Sequence, residues 1–332
     1  AAVVLAGVRL TVVGLGADGW AGLTDAVRAE ILGAEIVLGG ARQLGLLPAA
    51  EGQQRRPWPS PLRPALESMV RECAGARTVV LASGDPMVSG IGTTLGELVG
   101  ADRGTVIPQV AAVALARARL GWSAESTCVV SVVGRDVHAV LRELAPARRV
   151  LVLSSDENSP AEIARLLVER GYGRSRMVVL GSLGSESETR TDTTASELIG
   201  AAPRLNVVGL ELIGPLAAGW AAGLPAEAFE NDGQLTKRDL RASALARLMP
   251  VPGQLLWVVG AGAGSVGIEW MRAHATCRTI AVEADDARAE RITRNARALG
   301  VPMLEVVHGR APDALAELPA PDAVFVGGGL TR

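Results

Sequence analysis

The sequence predicts an α/β protein made of two successive units of parallel sheet covered by helices. Three observations predict it. β-Branched runs alternate with helix-period segments over residues 8–213, and the alternation resumes after a Gly/Ala/Pro-rich break. Apolar residues reach 48% although aromatics are only 3%, so Ala, Val, Leu and Gly must fill the cores, as in strands buried on both faces. The 332 residues suit two domains of roughly 100–200 residues each.

In chain order, strands are predicted at VRLTVVG (8–14), EIVLGG (35–40), TVVLASG (78–84), CVVSVVG (128–134), RRVLVLS (148–154), RMVVLGSLG (176–184) and NVVGLELI (206–213). Several are continuous β-branched runs, as expected where both sheet faces are covered. Between them TDAVRAEILGA reads as a helix capped by Thr24. SPAEIARLLVERGYG reads as a helix with Ser159 as cap, Pro160 at its first position and Gly171 closing it. Its apolar set is Ile163, Leu166, Leu167 and the stem of Arg170. Residues 214–231, GPLAAGWAAGLPAEAFEN, lose the pattern and read as a linker. DGQLTKRDLRASALARLMP then predicts an amphipathic helix ending at Pro250. Strands follow at LLWVV, TIAVE, LEVVHG and DAVFVGGG. Parallel nucleotide domains normally carry two or three strands more, so the second unit reads as incomplete at its C-terminal end.

Two glycine loops follow strands. In the second, Gly262, Gly264 and Gly267 fit the dinucleotide pattern G-x-G-x-x-G, and Gly260, Gly262 and Gly264 fit the G-x-G-x-G of S-adenosylmethionine-dependent methyltransferases. Such a loop lets backbone N–H groups and a helix N-terminus approach a polar ligand. Glu283, ending the next strand, suits the two hydroxyls of a ribose in either cofactor. The bland alternative is a turn serving helix–strand packing. In the first loop Gly14, Gly16 and Gly19 match as well, but no acid ends the next strand. Asp85 of SGDP, at the end of another strand, either orients a ligand or makes an Asx turn.

Other chemistry is sparse. A formal net charge of −2 argues against a nucleic-acid binder. Cys73, Cys128 and Cys277 are scattered, as are His138, His274 and His308, so neither a disulfide framework nor a metal site is expected. No apolar run reaches the ~18 residues of a membrane span, and AAVVLAGVRLTVVG reads as a first strand, not a signal peptide; a cytoplasmic setting is expected.

VVGLGADGW with LASGDPMVSGIG resembles the tetrapyrrole methylases. LGW (120–122), VVSVVGRD (129–136), NSPAEIARLLVERGYG (158–173) and LNVVGLEL (205–212) resemble the branch that methylates carbon 5 of a corrin precursor. In the second unit DGQLTKRDLRA, the Leu255–Trp270 stretch, AVEADDARAERITRNARALGV, HGRAPDAL and PDAVFVGGG resemble enzymes that decarboxylate the ring C acetate and methylate carbon 15. Both sets in one chain, in this order, are similar to the decarboxylating C5,15-methyltransferases of precorrin-6Y in cobalamin synthesis.

The resemblance implies a two-lobed tetrapyrrole methylase domain over 1–213 with a cofactor cleft between its lobes, and a Rossmann-like methyltransferase domain over 232–332. It implies S-adenosylmethionine as cofactor, a small-molecule tetrapyrrole as substrate, no nucleic acid or membrane, and a homo-oligomer. Cofactor positions carried over are Gly14, Gly16, Ala17, Gly84, Asp85, Pro86 and Ile91 in the first domain. In the second they are Thr236, Gly260, Ala261, Gly262, Ala263, Gly264, Glu283 and Ala311. Departures are Ala17 where the family has Pro, Val258 in place of an acid, and Arg310 between Gly309 and Ala311. Carboxylate-rich substrates call for cations or bare backbone. Arg135, Lys237, Arg241, Gly327, Gly328 and Gly329 are the candidates; ion pairing of Arg135 with Asp136, and a solvated helix face for Lys237 and Arg241, are the structural alternatives. No catalytic acid or base is assigned. The rival readings are an NAD-dependent oxidoreductase and a non-catalytic S-adenosylmethionine-binding protein.

Overall fold

A computed structural model describes residues 5, 7–59, 61–100, 103–216 and 219–327. They divide into two compact units. The first holds residues up to 124 with 179–191 and 201–209; the second holds 125–178, 192–200 and 210 onward.

In the first unit β1 (Leu10–Leu15), β2 (Ile36–Gly39), β3 (Gln54–Pro57), β4 (Thr78–Ser83) and β5 (Gly104–Ile107) form one parallel sheet, ordered β3-β2-β4-β1-β5. Side chains alternate along β1. Leu10 and Val12 enter one core with α3 (Arg63–Arg71) and α4 (Ile91–Val99), while Val13 and Leu15 enter another with α1 (Asp25–Leu32) and α2 (Ala41–Gly45). Thr24 caps α1 as expected, accepting from the Val27 N–H at 3.4 Å. The helices that follow the neighbouring strands β1 and β4 therefore leave on opposite faces, which opens a crevice at the carboxyl edge of the sheet.

A second sheet has the order β6-β7-β10-β8-β9, with β6 (Thr127–Ser131), β7 (Arg149–Leu153), β8 (Arg176–Gly181), β9 (Thr189–Thr194) and β10 (Asn206–Glu211). The sequence reading missed β3, β5 and β9. All three end a sheet, where one side pairs with no neighbour, and QRRP and TRTDTT carry the polar and charged residues that protect an edge. α5 (Ala112–Leu120) follows β5, and the helix after β7 is α6 (Ser159–Glu169). Here the expected cap is corrected: Asn158 takes the N-cap position, and Ser159 Oγ accepts from the Ser155 and Asp156 N–H groups of the preceding turn. Gly171 has φ +78° and closes the helix as read.

The third sheet, β13-β12-β11-β14, is parallel, with β11 (Leu255–Val259), β12 (Arg278–Glu283), β13 (Glu305–His308) and β14 (Ala323–Val326). One face packs on α8 (Ser265–Ala273) and α9 (Asp286–Ala298), with α7 (Arg238–Leu248) contributing Leu245. The segment read as a linker is partly built into this core: Leu224 and Phe229 are buried in it. Within the same compact unit, Asp136 pairs with Arg297 at 2.9 Å, and Arg142 donates to the Arg272 carbonyl at 3.1 Å.

Gly14 has a close-approach role at the end of β1. A Cβ there would lie 2.1 Å from the Gly84 carbonyl oxygen and 2.7 Å from the Gln109 nitrogen. Gly14→Ala is expected to destabilise the first unit by about 1–3 kcal/mol, because backbone cannot give way as a side chain can. Gly96→Ala, mid-α4 with nothing within 4 Å of the new methyl, is expected to stabilise by about 0.5–1 kcal/mol. Urea unfolding of both variants beside the parent measures the contrast, and equal effects refute it.

Candidate functional site

The first candidate site grows from the crevice of the first unit. Gly84 N–H donates to the Leu15 carbonyl at 2.9 Å, joining the ends of β1 and β4. Beyond them, Gly16 and Gly22 leave room for the Asp18 carboxylate, whose oxygens lie 2.3 and 1.8 Å from where their Cβ atoms would stand. After β4, Gly92 N–H donates to the Pro86 carbonyl at 3.0 Å, folding the 84–92 turn onto itself. Gly16 and Ala17 lie in the first of these loops and Gly84, Asp85 and Pro86 in the second, while Gly14 stands in β1 just before the first and Ile91 opens α4 just after the second. Asp85 Oδ1 accepts from the Met87 N–H at 2.9 Å, the Asx turn of the two readings offered for it. Arg42 and Gln43, missed in the sequence, reach Ser83 Oγ at 3.3 and 3.0 Å.

The second site is a cleft of about 620 Å³ at the carboxyl edge of β11 and β12, within the 300–1,000 Å³ usual for small-molecule sites. The glycines divide by job. Gly260, Gly262 and Gly264 have φ of +68°, +59° and +78° and make the turn. Gly267 instead packs α8 against β12, its absent Cβ only 2.5 Å from Thr279 Cγ2. The G-x-G-x-G set thus shapes the loop, and the last glycine serves packing. Glu283 is buried beneath the loop. One carboxylate oxygen accepts from Gly262 N–H at 2.7 Å, the other from Ala284 and Asp285 N–H at 2.9 and 3.1 Å.

The opposite wall is the strap of residues 230–237, which brings Gln234, Leu235, Thr236 and Lys237 to the cleft. An arginine row on α9 holds it. Arg288 reaches Asp232 at 2.8 Å, Arg291 reaches Asp232 at 3.1 Å, and Arg294 reaches Glu230 at 2.8 Å. The Arg288 hydrogen bond, then the Gln234 N–H, holds the Asp232 carboxyl well below the usual carboxylate range; the Arg294 hydrogen bond lowers that of Glu230. Depressed carboxylate pKa values make this clamp complete above the ordinary carboxylate range, and it is lost as pH falls through the lowered values.

Of the residues expected from the sequence, Thr236, Gly260, Ala261, Gly262, Ala263, Glu283, Lys237 and Gly327 line this cleft. Val258 lines it too, so an apolar side chain stands where the resemblance led to the expectation of an acid. Gly327 is pressed against the loop: its Cβ would meet the Gly260 carbonyl oxygen at 2.4 Å. Gly328 and Gly329 lie outside the described residues. Ala311 is exposed in a turn and is not among the cleft residues. Arg241 requires a correction. It is fully buried and ion-paired to Glu269 at 2.6 Å, so it neither faces solvent nor extends to a ligand. Arg135 is exposed, and Asp136 spends its carboxylate on His138 and Arg297 instead. Arg288, Leu240, Ser265, Val266 and Phe325 are cleft residues that sequence reasoning missed. Phe325 was recoverable, since it alternates with the exposed Val324 and Val326 along β14. No cluster of three or more His, Cys, Asp or Glu able to hold a metal occurs among the described residues. No helix among them is long and apolar enough to cross a membrane.

A family model of the tetrapyrrole (corrin/porphyrin) methylases matches residues 9–199, and one of the precorrin methyltransferase domain matches 227–332. A precorrin-6Y C(5,15)-methyltransferase (decarboxylating) of Sinorhizobium sp is 44% identical over 329 residues, covering 96% of this chain and 78% of the relative. A cobalt-precorrin-7 C(5)-methyltransferase of Salmonella typhimurium is 35% identical over 182 residues, 54% of this chain and 87% of the relative. The solved C-terminal domain of the Rhodobacter capsulatus precorrin-6Y C5,15-methyltransferase is 46% identical with a TM-score of 0.32, covering 34% of this chain. The present chain spans 60% of that solved chain. Parallel sheets with glycine loops at their carboxyl edges, and a methylase match on each part, define an α/β methyltransferase of tetrapyrroles. Within that class the chain belongs to the precorrin-6Y C(5,15)-methyltransferase (decarboxylating) family.

Proposed function

We propose that this chain methylates carbons 5 and 15 of a precorrin-6Y-type corrin precursor, using S-adenosylmethionine, and removes the ring C acetate carboxyl as carbon dioxide. Cobalamin biosynthesis is the setting. The first part carries the C5 reaction and the second the C15 reaction with decarboxylation, as their separate matches suggest. The observation that carries the reading is a cleft of a volume suited to a nucleoside, lined by the left-handed Gly260 and Gly262 and by an acid, Glu283, that accepts from the Gly262 N–H.

The residues present fit the cofactor. Gly260–Ala263 offer close backbone approach, Glu283 offers an acceptor for ribose hydroxyls, and Leu235, Val258 and Val266 offer apolar surface; Gly264 packs against Ile292 instead. When bound, S-adenosylmethionine supplies an activated methyl group on a sulfonium. The chain's own work is alignment and exclusion of water, so no nucleophilic triad is required. Lys237, exposed at the cleft, is a candidate partner for a substrate carboxylate in the second part, and Arg135 in the first.

The full chain, S-adenosylmethionine and a precorrin-6Y-type tetrapyrrole should yield a product with two methyl groups more and one carbon dioxide less, read by mass spectrometry. Lys237 is also the chain's single lysine, so amine acylation reports on this cleft, with only the α-amino group as background. S-Adenosylhomocysteine should protect Lys237. An unmethylated substrate and an unprotected Lys237, with NADH protecting instead, would refute the reading.

A further inference from the structure

The two walls of the second cleft come from distant parts of the chain, and one buried side chain touches both. Asn295 on α9 is 3% exposed. Its Oδ1 accepts from the Glu230 N–H at 2.9 Å, while Nδ2 donates to the Glu230 carbonyl and to the Ala263 carbonyl, each at 2.9 Å. The amide orientation is set by chemistry, because the flipped form would aim an oxygen at two carbonyl oxygens. Glu230 begins the strap, and Ala263 lies in the glycine loop, directly before the first residues of α8. The strap is held again at its far end, where Arg241 Nη1 donates to the Thr236 carbonyl at 2.5 Å. Between these anchors the Gln234 carbonyl oxygen stands 3.5 Å from the Cβ position of Gly262. Loop and strap are therefore spaced by the fold before any ligand arrives.

We propose that Asn295 is a positioning residue that sets the gap between glycine loop and strap, and through it the affinity of the cleft for an S-adenosyl ligand. The consequence for affinity rests on the cofactor reading above; the mechanical bridge does not. A buried amide making all three bonds fixes both walls to one rigid helix, and losing its donor leaves two carbonyls without that partner and loosens both walls, with the arginine row and Arg241 still holding the strap. A displacement of about 1 Å is enough to spoil a preorganised site.

Asn295→Asp is the isosteric test. It keeps the acceptor for Glu230 N–H and turns a carboxylate oxygen toward two carbonyls. Asn295→Ala removes all three bonds without repulsion and serves if the aspartate variant does not fold. Leu299→Ala, which cuts a buried side chain near the end of the same helix, is the control for general loosening. Two readouts are made on the full chain. One is hydrogen exchange of peptides spanning 228–236 and 258–266 without ligand. The other is the S-adenosylhomocysteine concentration that half-protects Lys237 from acylation.

Both peptides should exchange faster together in the Asn295 variants, and half-protection should need about tenfold more ligand. Leu299→Ala should lower Tm and change neither readout. Acceleration of one wall alone, or of neither, overturns the bridge. Joint acceleration with half-protection within twofold of the parent overturns the affinity claim. A parent chain whose Lys237 is never protected defeats the cofactor reading and the affinity claim with it, while the exchange result still decides the bridge.

Discussion

Arg241→Ala should destabilise the second compact unit by about 3–5 kcal/mol, the range for stripping one partner from a buried ion pair. The side chains of Arg241 and Glu269 are 0% and 2% exposed and meet at 2.6 Å. Arg241 also donates to the Thr236 and Leu224 carbonyls, and its guanidinium lies 4.9 Å from the centre of the Phe229 ring. Glu269 in turn accepts from the Gly223 and Leu224 N–H groups at 2.6 and 3.0 Å. Alanine leaves the carboxyl group buried and without its cation. Glu269→Gln keeps one of the two acceptor oxygens, Gly223 N–H using one and Leu224 N–H with Arg241 the other, and should cost less. Urea unfolding followed by hydrogen exchange in peptides of α7 and α8 measures the loss, and a variant within 1 kcal/mol of the parent would contradict it. Because Thr236 is released as well, the damage should extend to the strap.

Glu283→Ala should lower kcat/KM for C15 methylation about hundredfold, equivalent to about 2.7 kcal/mol of transition-state binding, and leave C5 methylation within twofold. The carboxylate has two tasks in the second cleft. It holds Gly262, Ala284 and Asp285 N–H groups in place, and under the proposed function it receives ribose hydroxyls. Alanine ends both. Glu283→Gln retains one acceptor oxygen but points an amide donor at backbone donors, so its activity should fall between alanine and parent. Separate assays of the two methyl transfers decide the matter. Equal loss of C5 and C15 methylation would mean that Glu283 supports the whole chain, not this cleft.

Legibility differed by element for physical reasons. Interior strands such as VVLAS and LLWVV are buried on both faces and declare themselves as apolar runs. β3 and β9 each leave an edge unpaired and carry polar and charged residues that break the pattern. The glycine loop was legible because left-handed backbone demands glycine at 260, 262 and 264. Glu283 was legible by its place at a strand end. Lys237 and Arg241 look alike in sequence, both cationic and four residues apart, yet one lines the cleft and the other is sealed inside the fold. The 214–231 segment looked loose for lack of periodicity, but its backbone is pinned by Glu269 at Gly223 and Leu224, and Asn295 grips Glu230 just before its end.

The sequence by itself determined the α/β class, the interior strands, both glycine loops, the acid at 283 and the family resemblance, because these rest on local demands of φ angle, burial and chain pattern. Tertiary structure decided the partners of the buried polar groups. Arg241 meets Glu269 across 28 residues, and Asn295 meets Glu230 across 65. A polar side chain carries no periodic signal of its burial. Whether it faces water or anchors a cleft depends on which distant groups the fold brings within about 3 Å of it.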